Sequence, residues 1–141
     1  MIGALVAGIT GSGGASLSSY ESIATFTGSG TPTYIEFTSI PSTFKHLQIR
    51  TLVRDNFGGS GVDNYNLRFN SDTGSNYASH RLFGDGSTVT AAGTASTTSI
   101  SIIPSVVLGG EAANLFGVAI IDILDYGSSS KNKTVRYFGG A

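Results

Sequence analysis

The sequence predicts an all-β fold, a two-sheet β-sandwich of jelly-roll type, with a closed barrel as the competing architecture. Three observations carry this expectation. Short runs of β-branched and aromatic residues recur along the chain, separated by turns of Gly, Ser, Asn and Asp. No internal stretch holds a helical period. One run, residues 115–126, is apolar enough to be buried on both faces, and the hydrophilic residues 127–130 follow it. It reads as the central strand of a packed sheet.

Residues 1–19 stand apart from the rest. Ile2, Leu5, Val6 and Ile9 fall at i, i+3, i+4 and i+7, which lines one face of a short helix, and Gly3, Ala4, Ala7 and Gly8 keep the opposite face small. Gly11, Ser12, Gly13 and Gly14 then break any helix. So short a helix is marginal alone, because nucleation costs more than a few hydrogen bonds return. The expectation is a docking segment, with Ile2, Leu5, Val6 and Ile9 meeting a partner; the plainer alternative is a frayed terminus or an added strand. Residues 20–141 form the β-domain.

From Tyr20 onward the pattern is one of strands. Residues 22–27 alternate apolar and polar, 28–32 make a turn, and 34–37 complete a hairpin. Residues 40–44 read as a tight connection. Residues 46–54 give the next strand, with Leu47, Ile49 and then Leu52 or Val53 inward, and the break in alternation at Thr51 suggests a bulge. A flexible Gly-rich loop over 55–64 precedes strands at 65–69 and 77–83, which are joined by an Asn- and Asp-rich turn. Residues 87–97, composed of Ser, Thr, Ala, Gly and Val, read as an exposed loop. Ile100, Ile102 and Ile103 belong to a strand stopped by Pro104. After the apolar strand at 115–126, residues 134–138 close a set of about eight strands.

Composition narrows the function. With 141 residues the chain has room for one domain and its own core. Charged residues make up only 12%, and the net charge is −1, so there is no basic field for nucleic acid or an anionic membrane. Solubility rests on hydroxyl and amide groups, which cost less to bury in an assembly than ions do. Cysteine is absent, which removes disulfides, thiolate metal sites and thiol nucleophiles. The apolar start of the chain is too short to span a bilayer and lacks the basic flank of a signal peptide.

The residues that could carry chemistry are few. His46 and His80 are the two histidines. No nucleophile-elbow motif accompanies them, and each is expected at a strand margin with its ring hydrogen-bonded. Residues 70–76 place side-chain oxygens at alternate positions, as calcium requires, but lack the acids and closing Glu of a calcium loop. An Asx-rich turn is the stronger reading. Residues 11–14 are not a phosphate loop, because no Lys-Ser/Thr pair follows. Asp122 and Asp125, three apart on a strand, point to opposite faces and make a poor acid/base pair. Asp122, between Ile121 and Ile123, needs Arg50, Arg68 or Lys133 as a partner, or else an outward face. No catalytic residue, cofactor or metal site is expected.

Several phrases together carry a resemblance. They are Ser19-Tyr20-Glu21-Ser22-Ile23-Ala24-Thr25, Ile35-Glu36-Phe37-Thr38-Ser39-Ile40-Pro41-Ser42-Thr43, His46-Leu47-Gln48-Ile49-Arg50, residues 67–78, and Phe116 to Tyr126 running on to residues 132–136. Over most of residues 19–138 the chain resembles virion structural proteins of tailed phages, such as the minor tail and fibre-like proteins of marine and cyanobacterial phages. The resemblance implies a non-enzymatic tail fibre or minor tail component, found in the virion after assembly in the host cytoplasm. Its partners would be other virion proteins, further copies of itself (a trimer suits a fibre) and a host-surface glycan or receptor. Neither nucleic acid nor membrane is expected as a partner. The loops at 55–64 and 84–97 would face outward. A capsid-decorating protein that bridges shell subunits is the alternative. Members of this group usually continue past the counterpart of residues 134–138, so the chain is expected to be either a naturally short form or a truncated one. If short, its sheet would end at an edge open to another chain.

Overall fold

The computed structural model describes residues 20–28 and 34–141. The docking segment and its residues Ile2, Leu5, Val6 and Ile9 lie outside the described residues. Seven strands follow in order: β1 (Leu47–Val53), β2 (Val62–Leu67), β3 (Tyr77–Gly84), β4 (Val89–Thr97), β5 (Ile100–Val107), β6 (Gly117–Leu124) and β7 (Thr134–Gly140). They form three antiparallel sheets, β1-β6-β7, β2-β5 and β3-β4. The described residues contain no helix. The all-β expectation therefore holds.

β6 is the central strand of its sheet, as its apolar run predicts, but it is not buried on both faces. Ala119, Ile121 and Ile123 are buried, whereas Val118 and Ile120 are about half exposed. β1 pairs with β6 in unbroken register from Leu47 opposite Ile123 to Val53 opposite Gly117. The bulge expected at Thr51 does not form. Thr51 stays on the inward face, where its hydroxyl lies 3.0 Å from the Tyr65 hydroxyl. That bond satisfies a polar group that the strand's alternation turns inward with Leu47 and Ile49. It also opposes, without cancelling, the upward push that burial gives the Tyr65 pKa.

The core sits between the inner face of β1-β6-β7 and the β2-β5 pair. Ile102, Ala119 and Ile121 form its centre, with Ile49, Tyr65, Leu67, Ile100, Val135 and Tyr137 packed around them. Fully burying each large aliphatic side chain contributes about 1.5–3 kcal/mol. β5 crosses β6 and β7 at close range around Ser105, which is fully buried. A Cβ at Gly117 would collide with the Ser105 carbonyl and lie 2.9 Å from the Val106 nitrogen. One at Gly139 would lie 2.8 Å from Ser105 Oγ and 2.7 Å from the Val118 carbonyl. Small residues on three strands thus set the spacing between the layers.

Three expectations for the strands and one for a loop are corrected. Residues 22–27 and 34–37 form no strands, so the first hairpin is missing. Residues 87–97 are not a loop: β4 occupies most of them, pairing with β3 from Gly84 opposite Val89 to Tyr77 opposite Thr97. Small residues suffice there because a partner strand supplies the ladder, and Ser79 and Thr94 add a 2.9 Å hydroxyl contact across it. β5 is not stopped by Pro104 but runs on to Val107. The β2-β5 register shifts between Asp63 and Tyr65, so Pro104 falls where the ladder is interrupted and its missing N–H costs no pairing. The Gly-rich loop after β1 is partly held, because Gly109 and Gly110 donate to the carbonyls of Phe57 and Gly59 at 3.0 and 2.8 Å, and Leu108 donates to Gly61.

Two substitutions test the crossing. Gly117→Ala forces a methyl group against backbone that has no side chain to move aside, so a loss of about 3 kcal/mol or more is expected in denaturant unfolding. Ser105→Ala removes a buried hydroxyl with no hydrogen-bond partner among the described residues, so stability is expected to be unchanged or raised. A Gly117→Ala protein as stable as the parent, or a Ser105→Ala protein weakened by more than about 1 kcal/mol, contradicts this account of the crossing.

Candidate interaction surface

The outward face of β1-β6-β7 is built in rows by the strand register. Gln48, Asp122 and Arg136 form a polar row; Arg50, Ile120 and Phe138 form the next; Leu52, Val118 and Gly140 form the third. In the polar row Gln48 donates to Asp122 Oδ1 at 2.8 Å, and Arg136 lies 3.4 Å from Asp122 Oδ2. Asp122 therefore does face outward, but its cationic partner is Arg136 rather than Arg50, Arg68 or Lys133. Arg50 donates instead to Gln48 Oε1 at 2.7 Å, and its guanidinium lies 5.3 Å from the Tyr20 ring centre.

Apart from Arg50, the other two rows are apolar and largely open to solvent. Phe138 is 83% exposed, Val118 49% and Ile120 45%. With Arg50, Gly139 and Gly140 they line a shallow groove of about 370 Å³. The segment entering the sheet is also apolar and exposed: Ile23, Phe26, Tyr34, Ile35 and Phe37 lie open to solvent, and Tyr20, also largely exposed, meets Arg50. Contiguous apolar surface of this kind marks a contact site.

The loops beside this face are structured by charged side chains acting on backbone. Arg54, just past β1, donates to the carbonyls of Gly109, Glu111, Ala112 and Leu115 at 2.6–3.2 Å. A planar guanidinium with several donors suits this role better than an ammonium group. Asp55 accepts from the Phe57 and Gly109 amides at 3.1 and 3.0 Å. Nothing in the local sequence pattern pointed to Arg54; its role depends on a segment more than fifty residues away.

The residues singled out for chemistry do not converge. His46 lies just before β1, and its Nδ1 accepts the Asp125 amide at 3.0 Å. His80 lies on β3, in another sheet, with its ring over Gly93. Asp125 follows β6 and lies 3.7 Å from Lys131. In the turn at 70–76, Asp72 Oδ1 accepts the Gly74 amide at 2.8 Å, and both Asp72 oxygens accept from the Asn76 side chain. Those bonds hold the Asp72 pKa below its ordinary value, the Asn76 contact most of all. The residues thus form an Asx turn. Among the described residues no group of three or more His, Asp or Glu could hold a metal ion, and no helix is long and apolar enough to cross a membrane.

No protein-family model, curated protein or solved structure matches the chain.

The β3–β4 turn carries a pH-dependent element. Asp85 Oδ1 accepts from the Thr88 and Ser87 amides at 2.7 and 2.9 Å and from the Ser87 hydroxyl at 2.8 Å. These donors, Thr88 first, hold its pKa down to about 2 from an ordinary 3.8. The folded value lies below the unfolded one, so the turn's stabilisation is present above about pH 4 and is lost as pH falls through about 2. An NMR titration should give an Asp85 carboxyl midpoint near 2, with the Ser87 and Thr88 amides shifting together with it. A midpoint near 4 would show that the turn does not hold the carboxylate.

Proposed function

We propose that the chain is a non-enzymatic structural protein of a tailed-phage virion, a tail fibre or minor tail component present in several copies. The observation that carries this reading is the exposed apolar face of β1-β6-β7, together with the exposed Ile23, Phe26, Tyr34, Ile35 and Phe37 of the entering segment. Such surfaces serve contact, and a low-charge, hydroxyl-rich chain is suited to burial in an assembly. The two histidines support the same reading, since His46 meets the Asp125 amide just before β1 while His80 lies on β3, and the two do not come together. The resemblance over residues 19–138 supplies the phage context.

In this reading β1-β6-β7 and the β5 layer are the two leaves of a jelly-roll sandwich, and residues 1–19 anchor it to other virion proteins. The outward surfaces are then the loop bearing Phe57, within residues 55–64, and the β3–β4 hairpin, which takes up residues 84–97 and where Leu82 and Val89 are each 74% exposed. A host-surface glycan or receptor would meet the protein there.

Antibody labelling of phage particles tests the assignment. Label on the tail is the expected result. Label on the head shell replaces it with the capsid-decorating role, and absence from particles overturns both. Deleting residues 1–14 should leave a folded β-domain by circular dichroism that no longer joins particles; normal incorporation removes the anchor role. Turnover of a host polysaccharide by purified protein would contradict the non-enzymatic reading.

A further inference from the structure

β7 ends its sheet, and its outer edge has no partner strand among the described residues. Such an edge offers a row of unpaired amides and carbonyls to any compatible strand. Residues 34–37, Tyr-Ile-Glu-Phe, have the composition and alternation of a strand but form none. Tyr34 is 76% exposed, Ile35 47% and Phe37 38%. Among the described residues the chain's own copy of this segment makes no backbone hydrogen bond to that edge. Beyond it the chain is tied down at the end of β6, where the Tyr126 hydroxyl donates to the Ile40 carbonyl at 3.1 Å and the Tyr126 amide to the Lys45 carbonyl at 2.8 Å.

We propose that residues 34–37 of a second copy add to the free edge of β7 as an antiparallel strand. This rests on the multi-copy reading above and names the surface that joins the copies. One register satisfies every side chain. Tyr34 lies opposite Phe138, Ile35 opposite Tyr137, Glu36 opposite Arg136 and Phe37 opposite Val135. Val135 and Tyr137 pack inward against the core, so Ile35 and Phe37 extend it. Arg136 and Phe138 face outward and are exposed, so Glu36 meets a cation and Tyr34 meets an aromatic ring.

The alternation fixes the choice. A slip of one residue would turn Glu36 toward the core and Ile35 and Phe37 toward solvent. A slip of two would place Glu36 opposite Phe138 or Thr134 and leave Arg136 without the carboxylate. Charge agrees with this register, because Glu21 and Glu36 are the only charged residues between 20 and 44. The Arg136 side chain is 68% exposed, so its contact with Asp122 leaves the guanidinium open to a second carboxylate. Strand addition of this kind draws affinity from backbone bonds and selectivity from the alternating side chains.

The absence of cysteine makes the test clean. Copies carrying Tyr34→Cys are mixed with copies carrying Phe138→Cys and oxidised; a disulfide-linked dimer is expected. Pairing Tyr34→Cys with Leu82→Cys, an exposed position on β3, should give only background. In sedimentation, the full chain should self-associate, Glu36→Arg should weaken association about fivefold or more, and the double variant Glu36→Arg/Arg136→Glu should recover it. An internal crosslink in a single chain carrying both Tyr34→Cys and Phe138→Cys, at high dilution, would assign the edge to the chain's own segment and overturn the proposal. Self-association without the crosslink and insensitive to Glu36→Arg overturns it too, while leaving a multi-copy protein. A protein that stays monomeric and forms no crosslink sinks the strand addition, whereas membership of the virion is decided separately by labelling particles.

Discussion

The close crossing of β5 over β6 and β7 is the constraint on which the rest of the structure depends. Ser105, Gly117 and Gly139 meet there with no room for another methyl group. Because the layers approach so closely, a handful of aliphatic side chains is enough to fill the space between them. Ile102 and Ile121 are buried almost completely. A chain this rich in Gly, Ser and Thr could not fill a wider gap, since dispersion and burial both scale with the apolar atoms in contact. The buried Ser105 hydroxyl is the cost of using a small residue at the crossing.

That economy on the inside has a counterpart on the outside. β6 carries apolar residues on both of its faces, but only one face meets another layer. The second face, with Val118, Ile120 and the neighbouring Phe138, is left to solvent in the single chain. Polar residues define the limits of this area: the Gln48–Asp122–Arg136 row lies on one side of it, and Arg50 lies within it. The free edge of β7 adjoins the same face. Apolar surface and an open edge occur together on this sheet, and the chain also carries a correctly patterned but unpaired segment at residues 34–37, which is the physical basis for the proposal that the protein joins an assembly.

The strands whose own residues alternate, or form an apolar run, were legible. β1, β3 and β6 were expected within a few residues of where they lie, because their patterns match one buried face. β4 was not legible. Its Thr, Ala, Gly and Ser residues have no apolar period, and they are a strand because β3 lies alongside. Pro104 misled in the opposite direction, since a residue that normally ends a strand sits where the β2-β5 ladder is already interrupted. Thr51 looked like a defect in alternation and is an inward residue satisfied by Tyr65, 14 residues along the chain on another strand, beyond any strand-length window. Residues 22–27 and 34–37 have strand patterns without a strand, because pattern supplies a face and not a partner.

By itself the sequence determined the class: an all-β chain without cysteine, of low charge, with two isolated histidines and one dominant apolar strand. Those properties follow from residue type and short-range spacing, which act locally. Only the tertiary structure decided which face of β6 would be covered, that Asp122 would find Arg136, that Arg54 would gather the carbonyls of a distant loop, and that β7 would be left with an open edge. Each of these depends on which strands become neighbours, and that is set by the whole chain packing at once.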